Sequence, residues 1–331
     1  MALRHKKTAA VEESINESFK NLPDDELFTF AGFDEAAAEK TGYSDYSYWR
    51  STFQVFLKDR VAVSLLILIG IILLFAFLQP HLPGQRSATQ IYNDASGMQI
   101  RNLPPNAEFW FGTNSIGQDL WSRVWSGTRT SLLIGFAVAL SEAVLGILMG
   151  VLWGYIRRLD RLFTEIYNVL DNIPQTIILI LFSYIMRPSV STLIIAMCLT
   201  GWLDMARFIR NQILIIRDRD YNLASRCLGT PSRRIILRNL LPYLVSVIML
   251  RMALAIPAAI GNEVFLTYIG LGLPVSIPSL GNLINEGRVL MTSAALRYQL
   301  FFPAIALSVV TISFYIIGNA FADASDPKNH I

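Results

Sequence analysis

The sequence predicts an all-α, polytopic membrane protein with six transmembrane helices. Three observations predict it. Apolar residues make up 53% of the 331 and charged residues only 16%, against roughly 25% charged in a soluble domain. Mean hydropathy is +0.43. Charges are also kept out of long stretches of chain instead of being spread through it, as in segments that face lipid. The same composition excludes other classes. Two cysteines cannot frame a disulfide scaffold. The apolar content rules out disorder for the bulk of the chain, and a net charge of +3 gives no footprint for nucleic acid.

The spans follow in order. Residues 61–78 form an 18-residue run free of charge. At 1.5 Å per residue it reaches ~27 Å, about the depth of a bilayer core. Lys58 and Arg60 precede it and Gln79-Pro80 ends it. The second run, 131–155, is interrupted only by Glu142. The third and fourth, 166–186 and 191–208, are joined at Arg187-Pro188-Ser189, a tight turn that makes them a helical hairpin. The fifth, 241–268, carries Arg251 and Pro257, and the sixth covers 300–321. With the N-terminus inside, six crossings return the C-terminus to the same side and place 20 Lys and Arg inside against 7 outside. The basic loops beside the spans are short, so the excess of positive charge predicts an N-in, C-in protein.

Three regions emerge: 1–48, an acidic cytoplasmic extension; 49–130, the first span and an outer loop; and 131–328, a five-span core. The extension holds ten acidic residues against five basic ones and no apolar stretch suited to a signal peptide. The first span is therefore expected as an uncleaved anchor, preceded by a solvated tail. Phe19, Leu22, Leu27, Phe28, Phe30 and Phe33 would also allow that tail to dock a short helix on a partner.

Catalytic patterns are missing. No GxxxxGK[ST] occurs, nor any Gly-Lys pair. His5, His81 and His330 form no paired metal set. Cys198 and Cys227 read as reduced thiols, and Gly270-Leu-Gly-Leu-Pro274 as a turn after a span. The chain itself is expected to bind no cofactor or metal and to be no enzyme. Any transport has to be driven by an ion gradient or by a separate subunit.

The stretch between the fourth and fifth spans is too large for a plain connector. It reads as a helix, a stop at Gly229, and a second helix with Thr230 as N-cap and Pro231 at its first position. Leu223, Cys227 and Leu228 form a small apolar face beside Arg226, which suits insertion into a partner's groove. The region 222–242 resembles the EAA motif of ABC-importer permeases, E-A-A-x3-G-x9-I-x-L-P. Ala224, Ser225, Gly229, Leu241 and Pro242 fall on it in register, while Leu223 stands for the Glu and Asn239 for the Ile.

Further matches are similar to the second, C-type permease of the dipeptide/oligopeptide/nickel importers. Trp49-Arg-Ser-Thr-Phe53 and Lys58-Asp-Arg60 resemble its start. Gly112-Thr-Asn-Ser-Ile-Gly117-Gln-Asp119-Leu-Trp-Ser122-Arg123 resembles GTDxxGRDxxSR, and Gly127-Thr-Arg129-Thr-Ser131 continues it. Ala206-Arg207, Arg210 and Tyr221 match positions ahead of the EAA loop. Glu263, Tyr268-Ile-Gly-Leu-Gly272, Pro278-Ser279 and Gly281-Asn282 resemble ExxxSFLGLG…PSWGxM, and the end at Gly318-Asn-Ala-Phe-Ala-Asp323 and Asp326-Pro327-Lys328 resembles GDGLRDxLDPR. One site departs. Glu165 and Asn168 stand where the family carries Arg and Asp ahead of the proline matched by Pro174, with Asp171 one turn on, so the local charge is reversed.

The resemblance implies a type I ABC-importer permease fold in a bacterial cell membrane. It makes Leu223, Ala224, Ser225, Arg226, Cys227, Leu228, Gly229 and Pro242 the loop that couples to ATPase subunits. It further implies a heterodimer with a homologous second permease, two ABC ATPase subunits that bind ATP and Mg, and an extracellular peptide-binding protein, with peptides as cargo. A nickel or small-ligand importer of the same family is the alternative, and a gradient-driven carrier a more distant one. Two charges lie inside spans. Glu142 and Arg251 sit at depths of ~20 and ~15 Å from the cytoplasmic face, close enough in level to pair or to line a translocation cavity; contact with the second permease, or snorkelling of Arg251, are the other readings. Pro257 and Gly261 are expected to bend the fifth helix or to let another approach it.

Overall fold

Asp59 starts the first membrane helix. In the computed structural model, which describes residues 48–325, a short helix α1 (Tyr48–Lys58) leads up to it. The Asp59 carboxylate accepts from the amides of Val61 and Ala62 at 2.9 and 3.1 Å, two of the orphan N–H groups that open α2 (Arg60–Leu78). Lys58-Asp59-Arg60 is therefore a cap as well as a charged flank. Residues 1–47 of the acidic extension expected over 1–48, and the motif residues from 326 onward, lie outside the described residues.

A single long helix organises the rest. α3 (Leu120–Tyr155) has 36 residues, ~54 Å at 1.5 Å each, well beyond a bilayer core. It begins at Leu120, ahead of the predicted 131, because Asp119 caps it by accepting from the Ser122 amide at 2.9 Å. Against it lies α6 (Val190–Arg217), which likewise outruns its predicted end at 208. The two backbones meet along Gly146, Gly150 and Gly154. A Cβ on Gly146 would stand 2.4 Å from Met205 Cγ, and one on Gly150 2.6 Å from the Ala206 carbonyl oxygen. Small residues spaced by four let helices approach in this way.

The predicted third span is broken in two. Residues 166–186 do not form one helix: α4 (Arg157–Asp171) and α5 (Gln175–Ile185) meet at a bend of 72°. Pro174 causes it, since a proline has no N–H to give and pushes the residue before it out of the helical region. α5 has 11 residues, or ~16 Å, and cannot cross a bilayer core alone. Among the described residues, five helices are long and apolar enough to span, or six if the bent pair counts as one crossing. The turn expected at 187–189 is present, with Ser189 accepting from the Thr192 amide at 3.1 Å to cap α6.

Beyond a hairpin of two short helices, α9 (Leu241–Tyr268) runs unbroken through Pro257. Gly261 faces open space, with nothing from the described residues of this chain within 4 Å of the place a Cβ would take. Gly270, at φ +81°, closes the predicted turn after α9. α10 (Leu280–Val289) and α11 (Tyr298–Ser325) complete the bundle. α10 is tied down by buried polar groups. Ser279 caps it and donates to Glu263 Oε1 at 2.7 Å, while Ser131 and Thr267 each reach the same carboxylate at 3.3 Å. Arg123, wholly buried, pairs with Glu286 of α10 at 2.7 Å and also donates to Gln118.

Candidate coupling hairpin and membrane cavity

Between α6 and α9 the chain makes a compact hairpin. α7 (Asp220–Cys227) stops at Gly229, whose φ is +77°. The Thr230 amide donates to the Ser225 carbonyl at 3.0 Å and the Gly229 amide to the Arg226 carbonyl at 2.9 Å, the bonding of a Schellman motif. Left-handed backbone costs an L-residue roughly 1–2 kcal/mol, so the predicted stop sits where only glycine fits freely. The predicted start of the second helix is shifted. Pro231 keeps an extended ψ of 144° and is itself the N-cap of α8 (Ser232–Ile235), so it is not the first helical residue and Thr230 is not the cap. One π-helical turn, Ile236–Leu240, carries the chain into α9, and Pro242 falls in the first turn of α9, where a missing N–H is tolerated.

The hairpin has an outer apolar face and an inner polar one. Leu228 is 86% exposed and Leu223 42%; Ala224 and Cys227 are exposed beside them. On the inner side Asn222 is fully buried. It donates to the Ile216 carbonyl at 2.9 Å and accepts from Asn239 at 3.0 Å. Asn239, which replaces the isoleucine of the motif, thus has a partner in this chain. Arg226 donates to the Arg217 carbonyl at 2.9 Å, and Arg217 in turn to the Gly154 carbonyl at 2.8 Å. Asp218 collects Arg217, Arg226 and Arg157 at 3.1, 3.5 and 3.9 Å. The hydrogen bond from Arg217, aided by the fields of all three guanidiniums, holds its carboxyl below the ordinary aspartate range.

Deeper in the bundle, α3, α6 and α9 line an open-sided cavity of about 270 Å³ whose wall includes Glu142, Gly201, Asp204, Arg251 and Asn262. Glu142 lies directly against Gly201. Arg251 and Glu142 therefore face one cavity, and among the described residues they make no ion pair with each other. Arg251 instead stands 4.5 Å over the Phe208 ring. A second, more apolar cavity of about 440 Å³ opens at the α4–α5 bend and shares Gln175 and Asp204 with the first. Asp171 there is held within the chain by Tyr167 at 2.9 Å and Arg207 at 3.5 Å, while Glu165 and Asn168 are exposed.

Several of these residues carried no flag in the sequence. Asp204 is a lone aspartate next to an apolar run, with Gly201 one helical turn before it as the available hint. Asn222 and Asp218 are ordinary loop residues until distant chain packs on them. The glycine spacing 146–150–154 was open to view and points to helix contact.

Membrane-crossing helices around a polar cavity, with a stiff amphipathic hairpin presented at one end, define an integral membrane component of a transport system. The model of "Binding-protein-dependent transport system inner membrane component" matches residues 143–331, and that of "N-terminal TM domain of oligopeptide transport permease C" matches residues 47–105. The chain belongs to this family of binding-protein-dependent permeases, in its C-type branch. Among its relatives is the oligopeptide transport system permease protein AmiD of Streptococcus pneumoniae (strain ATCC BAA-255 / R6), 40% identical over 93% of this chain and 98% of that one. The dipeptide permease DppC of Bacillus subtilis (strain 168) is 34% identical over 96% and 97% of the two chains. The oligopeptide permease OppC of the same organism is 34% identical over 93% and 99%.

Proposed function

We propose that this permease subunit conducts peptides into the cell and that its α7–α8 hairpin receives the stroke of an ATPase subunit. Relatives named for oligopeptide and dipeptide transport support the cargo. The distribution of Lys and Arg, 20 against 7, supports an N-in, C-in orientation with the hairpin in the cytoplasm. The assembly comprises this chain, a homologous second permease, two ABC ATPase subunits that bind ATP and Mg, and an extracellular peptide-binding protein. ATP binding closes the ATPase pair and moves the hairpin; the permeases turn outward, and the binding protein releases its peptide into a cavity lined by Glu142 and Arg251.

The observation that carries the coupling role is the exposed Leu223–Leu228 face on a helix whose other side is locked by Asn222, Arg226 and the Gly229 turn. An apolar face held in fixed orientation is what a groove-binding helix needs. The test is gentle solubilisation of the tagged chain from its own membrane, with mass spectrometry of what co-purifies. An ATPase and a second permease should come with it, and the ATPase should be missing when the hairpin is deleted. A chain recovered alone would end the coupling reading.

A further inference from the structure

The cavity between α3, α6 and α9 is built unlike its surroundings, and what it leaves unpaired describes a ligand. Three ionisable side chains, Glu142, Asp204 and Arg251, line it. Among the described residues no carboxylate lies within 4.0 Å of Arg251. Asp204 accepts one hydrogen bond, from the Tyr167 hydroxyl at 3.2 Å, to which Arg207 also donates at 3.0 Å, and Glu142 packs on the bare backbone of Gly201. Ionisable groups inside a membrane are expensive, and they persist where they pair or serve a pathway. Here both signs face one space of about 270 Å³ without meeting. The rest of the wall is small or pliable: Ala255 and Ala258 give room, and Met197, Met205 and Met252 can repack around different shapes.

We infer that this cavity is a binding site for the charged ends of a peptide, with Glu142 and Asp204 taking the α-ammonium group and Arg251 the carboxylate. The inference rests on the peptide reading above and deepens it. Termini are what all unmodified peptides share, and side chains are what differ, so fixed charges in a methionine and alanine wall admit many sequences by the features common to them. The site is distinct from the pairing of Glu142 with Arg251: a pair would neutralise itself, whereas separated charges of opposite sign match a zwitterion.

Thiol labelling in the purified assembly of both permeases and both ATPases tests it without the binding protein. Cys198 and Cys227 are replaced by serine, Ala258→Cys supplies a probe on the cavity wall, and the mass of this chain reports modification. A cationic thiosulfonate (the trimethylammonium-ethyl reagent) and an anionic one (the sulfonato-ethyl reagent) are compared, each normalised to free cysteine. Carboxylates in a low-dielectric cleft concentrate cations by about tenfold or more, so the cationic reagent should lead by that factor. The lead should disappear in Glu142→Gln/Asp204→Asn and grow in Arg251→Gln, so that one variant remains informative if the other fails to assemble. Trialanine should slow labelling, and N-acetyl-trialanine should slow it several-fold less. A charge preference untouched by either variant, equal protection by both peptides, or no labelling by either reagent would overturn the site. Uptake of labelled trialanine by the complete wild-type system is measured in parallel: absence of uptake with an intact charge preference would overturn the peptide reading and leave the cation-selective cavity.

Discussion

The two ends of the bundle use charge in opposite ways. At the α10 end, Arg123 and Glu263 are completely buried and each is held by residues far away in sequence, Glu286 in one case and Ser131 and Ser279 in the other, although the buried Arg123 Nε has no partner among the described residues. Burial pushes the Glu286 carboxyl up, and the Arg123 guanidinium beside it draws it back down. At the α7 end, the cluster around Asp218 is half in solvent, and apolar side chains such as Leu228 point outward instead. One end has its polar groups enclosed by its own chain. The other spends its polar groups on stiffening a short helix and leaves the apolar face for something else to cover. Changes at the α10 end should therefore cost stability, and changes at the α7 end should cost assembly and coupling.

The largest expected effect is at the closed end. Arg123→Ala leaves the largely buried Glu286, 23% exposed, without its cation, a change approaching the about 3–5 kcal/mol of a fully buried pair. Thermal unfolding of the detergent-solubilised chain should drop steeply, with poor recovery from the membrane. A loss below about 1 kcal/mol, the scale of an exposed pair, would break the contrast between the two ends. Next comes the turn of the hairpin. Gly229→Val forces a β-branched residue to φ +77° at a cost of roughly 1–2 kcal/mol, confined to the hairpin. Membrane insertion should be unchanged and uptake abolished; normal uptake would refute the part assigned to this turn.

What could be read in advance follows from the range of each interaction. Hydropathy is a property of contiguous residues, so the membrane runs and the turn at 187–189 were legible. So was Gly229, because a helix stop is written in neighbouring positions. The bend at Pro174 was misread: the apolar run continues across it, and proline within a span can kink a helix or break it, with neighbouring packing deciding. The start of α3 at Leu120 was hidden because Arg123 looks unlike a membrane residue until α10 folds over it. The link from Arg226 through Arg217 to the Gly154 carbonyl joins positions whose proximity depends on the glycine-spaced crossing of α3 and α6. Asn239 shows the same limit, since a departure from a motif gains its meaning only once Asn222 is beside it.

A smaller effect on the chain, with a clear effect on its partner, is expected at the open face. Leu223→Asp combined with Leu228→Asp alters exposed positions, which ordinarily moves stability by about ±0.5 kcal/mol. The thermal transition should stay in place while the ATPase subunit no longer co-purifies. Retention of the ATPase would mean that this face is not the one it covers, and a large loss of stability would mean that the α7 end is packed more like the α10 end than its exposure indicates.

The smallest effect sharpens the comparison by pH. Asp218 has its carboxyl held below the ordinary aspartate range, first by the Arg217 hydrogen bond. A folded pKa that is depressed contributes stability above the unfolded value, about 3.9 for aspartate, and loses it as pH falls through the lower folded value. The attachment of α7 should therefore be flat from about pH 8 down to about pH 5, loosening only in stronger acid. Amide hydrogen exchange over α7, corrected for the intrinsic pH dependence of exchange, measures this directly. Asp218→Asn should raise exchange modestly and equally at pH 8 and pH 5, because an exposed pair is worth under about 1 kcal/mol. Loosening of the wild-type helix between pH 8 and pH 6 would place its control on some other titrating group. A variant indistinguishable from wild type would leave Asn222 and the Arg226–Arg217 backbone contact as the holders of the hairpin, and the charge cluster as a solvated bystander to it.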